Sequence, residues 1–368
     1  MNRPPQEQCA LLSLFDLGFG PDVQQSLDSL CDSSLVPARI AQEYGARYLT
    51  LGASGEAEAV LAGRLAFTSP ERPAVGDWVA VEPGAPARIV HLLPRRTQLV
   101  RQSAGRRTHA QVLAANVDTV FVVTAAGQDF SPRRVERYLV AVQAGGAQAV
   151  VVLSKADLCP DLDARVAELE AVAPNVPVLA VSALEGRGLE GLRTRLRAGL
   201  TVAVVGSSGV GKSTLINRLL GEERLPTGGV RAADDTGRHT TTRRELVPVS
   251  LEDGSRATLV DTPGLRELQL WSEESALGSV FSDIEALAAR CRFGDCTHAH
   301  EPGCAVQEAV ASGALDEGRL ASLHKLAREQ RHQAARQDGL ARQEQHRREK
   351  QFGRWGREMN RLLPKRRR

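Results

Sequence analysis

The chain has 368 residues, 42% of them hydrophobic, which is enough for two or three domains with cores of their own. No apolar run approaches the ~20 residues that span a bilayer. Met1 to Gln6 carry one positive charge, and no long apolar stretch follows them. We therefore expect a cytoplasmic protein with no signal peptide and no membrane segment.

The net charge of +3 is unevenly distributed. From Arg319 to the end there are 16 Lys and Arg against 5 Asp and Glu, so this end carries +11 and the rest of the chain −8. A strongly basic tail favours a polyanionic partner, although a solvated charged helix would have the same composition. Within this end, the pattern predicts a long polar helix over 319–349.

Residues 1–44 form an expected N-terminal extension with no assigned role. Short apolar runs then alternate with Gly and Pro turns, which is typical of closely spaced strands. The runs are 48–51, 59–61, 63–67, 76–81 and 87–93. This pattern favours an all-β, five-stranded oligonucleotide-binding (OB) barrel over residues 45–110. Five arginines follow its last run and predict either a basic rim or a merely solvated loop: Arg95, Arg96, Arg101, Arg106 and Arg107.

Strand and helix patterns alternate over residues 111–272. Predicted strands are 117–124, 149–153, 176–181, 202–205 and 257–260, and predicted helices are 135–142, 162–171, 189–196 and 213–220. Continuous apolar strands in this order predict an α/β domain, with a parallel sheet covered by helices on both faces. Ligands of such sheets bind at the carboxyl ends of the strands.

A phosphate-binding loop is predicted directly after the strand 202–205. Its sequence fits G-x-x-x-x-G-K-S between a strand and a helix, the context that makes this match strong. The backbone N–H groups would surround phosphate, Lys212 would reach the β- and γ-phosphates, and Ser213 would bind Mg²⁺. The predicted nucleotide contacts are Gly206, Ser207, Ser208, Gly209, Val210, Gly211, Lys212, Ser213 and Thr214.

Two later segments complete the predicted phosphate side of the site. Asp261-Thr-Pro-Gly264 follows the strand 257–260. Asp261 would hold Mg²⁺ through its water shell, and the Gly264 N–H would sense the γ-phosphate. The segment 237–243 precedes it as Gly-Arg-His-Thr-Thr-Thr-Arg, a predicted switch in which Thr241 or Thr242 completes the Mg²⁺ shell.

Two segments upstream of the phosphate loop predict guanine recognition. Ser154-Lys155-Ala156-Asp157 resembles the usual Asn-Lys-x-Asp, with Ser in place of Asn. Asp157 would accept hydrogen bonds from guanine N1–H and its amino group, which adenine lacks, and Lys155 would lie along the base. Ser182-Ala183-Leu184 matches a second motif, in which a backbone N–H meets guanine O6.

The order of these motifs is rotated relative to an ordinary GTPase. Both base motifs come first, and the phosphate loop, the switch and D-x-x-G follow. Circular permutation explains this order, because joining the old ends and cutting at a surface connection leaves the same sheet.

A cysteine cluster predicts a metal site in the last part of the chain. Cys291, Cys296 and Cys304, with either His298 or His300, offer the ligand set of a closed tetrahedral zinc site. Three reduced cysteines in a small core are the alternative. We assign 273–350 to a mainly helical zinc domain and 351–368 to a basic tail. Because D-x-x-G leads directly toward this cluster, we expect the nucleotide state to be linked to it along the chain.

On these motifs the chain resembles the bacterial ribosome small subunit-dependent GTPase A family, over residues 45–350. The resemblance implies an OB barrel, a permuted GTPase domain and a zinc domain with His298 as the fourth ligand. It implies late maturation of the small ribosomal subunit, with GTP hydrolysis stimulated by that subunit and linked to factor release. The implied partners are the subunit, its rRNA and GTP/GDP, with Mg²⁺ and one Zn²⁺. We expect a monomer.

The resemblance also suggests a catalytic residue. Leu265 stands where Ras-like enzymes have a water-orienting Gln. His239 matches the switch histidine of the family, and the alternative is a solvated loop histidine. The departure from the family pattern is Ser154.

Three other functions fit parts of the sequence. An RNA-binding assembly scaffold would use nucleotide mainly as a conformational lock. A permuted GTPase of the large subunit is disfavoured by the barrel and the cysteine cluster, and an ATPase is disfavoured by Asp157.

Overall fold

The computed structural model describes residues 13–68, 71–102, 110–127, 129–221, 244–261, 274–332 and 334–335. The strands are β1 (Val36–Tyr44), β2 (Arg47–Gly52), β3 (Gly55–Leu61), β4 (Trp78–Glu82), β5 (Ala87–Leu92), β6 (Gln98–Gln102), β7 (Ala110–Ala115), β8 (Thr119–Ala125), β9 (Gln148–Ser154), β10 (Val178–Val181), β11 (Thr201–Gly206), β12 (Glu245–Ser250) and β13 (Arg256–Asp261).

The helices are α1 (Pro21–Asp28), α2 (Gly63–Thr68), α3 (Pro132–Ala144), α4 (Leu162–Val172), α5 (Glu190–Arg193), α6 (Lys212–Leu220), α7 (Glu274–Val280), α8 (Ser282–Ala288), α9 (Ala305–Ala311) and α10, over residues 317–332. None of the helices in the described ranges is long and apolar enough to cross a membrane.

Strands β1 to β5 close into the expected five-stranded barrel. They run in the order β1-β2-β3-β5-β4, and pairing of β1 with β4 closes the ring. Ile40, Tyr48, Val79 and Ile89 are buried inside it. The side chains of these strands that point into the closed ring form this core.

Two details of the barrel differ from the sequence-based prediction. The strand predicted over 63–67 is wrong, because these residues form helix α2, whose Leu65 packs on the barrel core. Five residues are too few for apolar spacing to separate a strand from a helical turn. Strand β1 lies within the expected extension 1–44, and the barrel therefore includes residues before 45.

The second sheet has the order β10-β9-β8-β11-β13-β12. Its first five strands are parallel, and β12 pairs antiparallel with β13. Along β8, Val120 and Val122 belong to one buried cluster and Phe121 and Val123 to another. The predicted parallel sheet with helices on both faces is confirmed, while β12 was not predicted. Gln42 of β1 is paired with Glu245 of β12, which joins the barrel to this sheet.

A buried arginine fixes the barrel against the second sheet. Arg39 is 1% exposed and donates to the carbonyl oxygens of Gly76 at 3.2 Å and Asn116 at 3.0 Å, and also to that of Leu17. Burial lowers the pKa of Arg39 to about 10, so the guanidinium remains charged at neutral pH. One side chain thus connects the N-terminal segment, the barrel and the start of the sheet.

The first two arginines of the predicted basic rim are paired with carboxylates. Arg95 donates to Asp77 at 2.7 Å and also pairs with Glu71. Arg96 pairs with Asp22 and Asp118. Arg106 and Arg107 lie outside the described residues. Sequence reasoning missed this neutralisation because the carboxylates come from distant parts of the chain.

Helices α7 to α10 form a C-terminal helical module that a second buried arginine joins to the sheet domain. Arg319 of α10 is 3% exposed and donates to Glu136 of α3 at 2.9 Å and to both carboxylate oxygens of Asp283 at 2.6 Å. Its guanidinium also lies 4.8 Å from the centre of the Phe281 ring. Glu136 is fully buried, and its charge is compensated by Arg319 together with Arg133, which donates to it at 2.7 Å.

We expect Arg319→Met to lower the free energy of unfolding by about 3 kcal/mol, because it removes one of the two cations paired with the buried Glu136 and also the partner of Asp283. Urea unfolding followed by circular dichroism measures this. Arg328→Met is the matched control, since Arg328 is exposed on the same helix and should change stability by less than ~0.5 kcal/mol. Equal losses in the two variants would contradict the structural role of Arg319.

Candidate nucleotide and metal sites

The predicted nucleotide motifs meet at one edge of the parallel sheet. Ser154 ends β9 and is paired with Val181 of β10 and Ala125 of β8, and Gly206 ends β11 opposite Val123. Parallel neighbours in this register carry their carboxyl ends to the same edge. Both base motifs and the phosphate loop therefore lie side by side, as predicted. Asp261 is the last residue of β13 at that edge.

The phosphate loop turns tightly out of β11. Gly206 has φ +147°, and a Cβ placed there would lie 2.3 Å from the Val123 carbonyl oxygen, so only glycine fits. Lys212 begins α6, and its Nζ donates to the Gly206 carbonyl oxygen at 2.8 Å and to that of Ser207. The ammonium therefore lies inside the loop, beside the N-terminus of a helix, and this arrangement can bind phosphate.

The first base motif is attached to the phosphate loop. Ser154 is 5% exposed, and its hydroxyl lies 2.6 Å from the carbonyl oxygen of Val210 and 3.1 Å from that of Thr124. Lys155 has φ +58°, and its Nζ donates to the Gly209 carbonyl oxygen at 2.8 Å. The serine that replaces the usual asparagine thus connects the base-reading and phosphate-binding segments.

The remaining residues of the two predicted base motifs lie in two short turns beside this connection. Asp157 is half-buried in a 3₁₀ turn over Ala156–Leu158. Ser182 is fully buried, and Ala183 accepts a hydrogen bond at its carbonyl from Arg218 Nε at 2.9 Å. Sequence reasoning missed Arg218, since an arginine in a surface helix has no distinctive signal.

Two residues of α3 also touch the loop and were not predicted. Arg134 donates to Ser207 Oγ at 2.8 Å, and the buried Tyr138 shares a hydrogen bond with the same side chain. Burial raises the pKa of Tyr138, so its hydroxyl stays protonated at neutral pH.

Several predicted residues lie outside what the structure describes. These are His239, Thr241, Thr242 and Gly264, together with the side chain of Asp261. Their roles stay predictions.

The cysteine cluster forms a compact group of ligand atoms. One atom each from Cys291, Cys296, His298 and Cys304 lies within 4.8 Å of the others. His298 Nδ1 is 3.6 Å from Cys291 Sγ and 3.5 Å from Cys304 Sγ, and the two sulfurs are 3.9 Å apart. Tetrahedral zinc, with Zn–S of ~2.3 Å and Zn–N of ~2.0 Å, holds its ligand atoms about 3.5–3.8 Å apart. The donor set and its spacing therefore fit zinc.

Neighbouring side chains hold the loop that carries the histidine. Glu301 accepts from the backbone N–H groups of Thr297 at 2.9 Å, Ala299 at 3.0 Å and His300 at 3.1 Å. Gln307 Nε2 donates to the His298 carbonyl oxygen at 2.5 Å. This loop presents His298 to the cysteines, and His300 is not in the group.

A phosphate loop at the carboxyl edge of a parallel sheet, preceded in the chain by both base-reading segments, defines a circularly permuted phosphate-loop GTPase. The family model described as RsgA GTPase matches residues 92–271. A relative from Opitutus terrae named small ribosomal subunit biogenesis GTPase RsgA is 47% identical, covering 89% of this chain and 92% of its own. One of the same name from Xanthomonas oryzae pv. oryzae is 50% identical, covering 79% and 80%. The chain belongs to the RsgA GTPase family.

Solved structures agree with this assignment. The crystal structure of YjeQ from Thermotoga maritima is 27% identical with a TM-score of 0.60, covering 80% of this chain and 98% of that one. The structure of YloQ, described as a circularly permuted GTPase, has a TM-score of 0.57 at 24% identity, covering 82% and 96%. The second likeness shows the fold alone.

We expect Ser154→Ala to weaken the affinity for GDP and GTP about tenfold, because the buried Val210 carbonyl loses its donor and the base motif is released from the loop. Titration with fluorescent nucleotides measures this. Ser255→Ala, which removes a hydroxyl bonded to Asp253 in the β12–β13 turn, is the control and should change nothing. Unchanged affinity in Ser154→Ala would show that the hydroxyl does not position the base motif.

Proposed function

We propose that this protein hydrolyses GTP on the assembling small ribosomal subunit and acts in its late maturation. The observation that carries the proposal is the permuted motif set meeting at one sheet edge, between a five-stranded barrel and a cysteine–histidine cluster. The relatives named small ribosomal subunit biogenesis GTPase support the same role. Hydrolysis is stimulated by the subunit and linked to release of the protein. This role implies a cytoplasmic protein, which acts as a monomer.

The roles proposed at the nucleotide are supported by the placement of Lys212 and Ser213 and by the sequence motifs that contain Thr241 and Asp261. Lys212 lies inside the phosphate loop and neutralises charge on the β- and γ-phosphates. Ser213, in the first turn of α6, would hold Mg²⁺ through its hydroxyl together with Thr241, and Asp261 would act through water. Mg²⁺ would supply charge neutralisation at the phosphates.

Guanine recognition is assigned to the two base motifs. Asp157 accepts from N1–H and the amino group, and the backbone N–H of Ala183 meets O6. The connection of Ser154 to Val210 keeps this pocket at a fixed distance from the phosphate loop.

Binding to the subunit tests the proposed function directly. We expect co-sedimentation with the small but not the large subunit, tighter with a non-hydrolysable GTP analogue than with GDP. Single-turnover hydrolysis should accelerate when small subunits are added. Binding without acceleration would favour the scaffold function, and binding to the large subunit would contradict the proposal.

The switch histidine is assigned to positioning the attacking water. We expect His239→Ala to lower subunit-stimulated turnover roughly 100-fold, the usual contribution of such a group. GDP affinity of the same variant is the internal control and should not change. Near-wild-type stimulated rates would rule out this role for His239.

A structural zinc ion is proposed at the cysteine cluster. Purified protein should contain about one zinc per chain, and Cys304→Ser should lose the metal and melt at a lower temperature, because a closed site contributes its binding energy to folding. Metal analysis and calorimetry measure both. Cys31→Ser is the control, since Cys31 is an exposed cysteine outside the cluster. Retention of zinc in Cys304→Ser would contradict the ligand assignment.

A further inference from the structure

Helix α3 contacts the phosphate loop through one of its faces. Arg134 and Tyr138 are four residues apart, so they lie one above the other on the helix. Arg134 donates to Ser207 Oγ at 2.8 Å, and Tyr138 shares a hydrogen bond with that hydroxyl. A serine hydroxyl accepts from one partner while donating to another, so both bonds can exist together.

Ser207 connects this face of α3 to the phosphate-binding lysine. Its side chain is held by Arg134 and Tyr138, while its backbone carbonyl accepts from Lys212 Nζ. A shift of the Ser207 backbone, which the bonds to its side chain restrain, therefore moves a carbonyl in direct contact with the ammonium. The neutralisation of negative charge on the transferred phosphate depends on the position of that ammonium.

The neighbouring face of α3 contacts the C-terminal helical module. Arg137 donates to both carboxylate oxygens of Glu329 at 2.7 and 2.9 Å. Glu136 accepts from Arg319 at 2.9 Å, and Arg133 pairs with Asp316. All three partners belong to the segment that contains α10 or to the turn just before it.

These two sets of contacts occupy the first two turns of one helix. Residues 133 to 138 span about 7 Å along the axis at 1.5 Å per residue. A rigid helix of this length transmits a rotation or shift of the module to the loop with little loss, because packed elements move as units.

We propose that Arg134 and Tyr138 are positioning residues for GTP hydrolysis, which hold the phosphate loop through Ser207, and that the C-terminal helical module acts on the reaction through α3. The inference rests on the GTP hydrolysis proposed above but concerns the intrinsic reaction, without ribosomal subunits. It gives the module a path to the nucleotide made of side-chain contacts that the structure describes.

The first experiment tests the contact with the loop. Tyr138→Phe removes only the hydroxyl, and Ser207→Ala removes its partner. We expect Tyr138→Phe to lower intrinsic kcat for GTP about fivefold, the effect of one hydrogen bond, with KM changing less than twofold. Ser207→Ala should lower kcat at least as much, because it also removes the bond to Arg134. The double variant should lose no more than Ser207→Ala alone, because the Tyr138 hydroxyl then has no Ser207 hydroxyl left to bond.

Tyr48→Phe is the matched control, since Tyr48 is a tyrosine of similar burial in the barrel core. It should leave kcat unchanged. Multiplied losses in the double variant, or an equal loss in Tyr48→Phe, would overturn the proposal. Affinity for a non-hydrolysable GTP analogue is measured on the same variants. If the wild-type protein fails to hydrolyse GTP, the proposed function fails, while non-additive changes in analogue affinity still support the contact.

The second experiment tests the contact between α3 and the C-terminal helical module. Arg137→Glu places like charges opposite each other, and we expect it to lower intrinsic kcat two- to threefold; adding Glu329→Arg should restore the rate. Arg88→Glu with Glu82→Arg repeats this exchange on an exposed barrel pair and is the control. If kcat falls no more than in the control, or if Glu329→Arg does not restore it, the module does not act on the reaction. Melting temperatures confirm folding, and Arg137→Gln replaces Arg137→Glu if that variant is destabilised.

Discussion

Parallel pairing of β8, β9, β10, β11 and β13 is the constraint on which the nucleotide site depends. In register, these strands bring their carboxyl ends to one edge, whatever their order along the chain. The permuted order of the motifs therefore leaves the geometry of the site intact. The permutation changes only which domains precede and follow the site along the chain. The barrel precedes the base motifs, and the helical module follows the phosphate-binding motifs.

The parts predicted from sequence are those in which local pattern determines structure. Continuous apolar runs identified the parallel strands, and the glycine spacing after β11 identified the phosphate loop. Strand β1 was missed because its central residues are buried without alternation. Strand β12 was missed because its pairing with β13, which makes it a strand, is not visible in the sequence. Helix α2 was misassigned because a run of five residues shows too little periodicity to separate a helix from a strand. Contacts between distant segments, such as Arg95 with Asp77, have no local signature at all.

The serine in the first base motif shows how a departure from a motif can be accommodated. Ser154 lacks the side-chain amide of the asparagine that usually stands at this position. In the structure, Ser154 instead lies 2.6 Å from the Val210 carbonyl oxygen, in a place that is 5% exposed. Its chemistry is therefore that of a connection between two loops, and discrimination between guanine and adenine is proposed for Asp157 alone.

The sequence also suggested that the nucleotide site communicates with the cysteine cluster along the chain, through the segment after D-x-x-G. A covalent connection constrains distance but does not by itself transmit a change of state, because a connecting segment can absorb motion through its own dihedral angles. The contacts of α3 are of a different kind. Buried Glu136 and Arg319 fix the helix to the module, while Arg134 and Tyr138 fix it to Ser207. A change in the position of the module then alters the free energy of the loop, and the coupling must be reciprocal: nucleotide binding alters the docking of the module by the same amount.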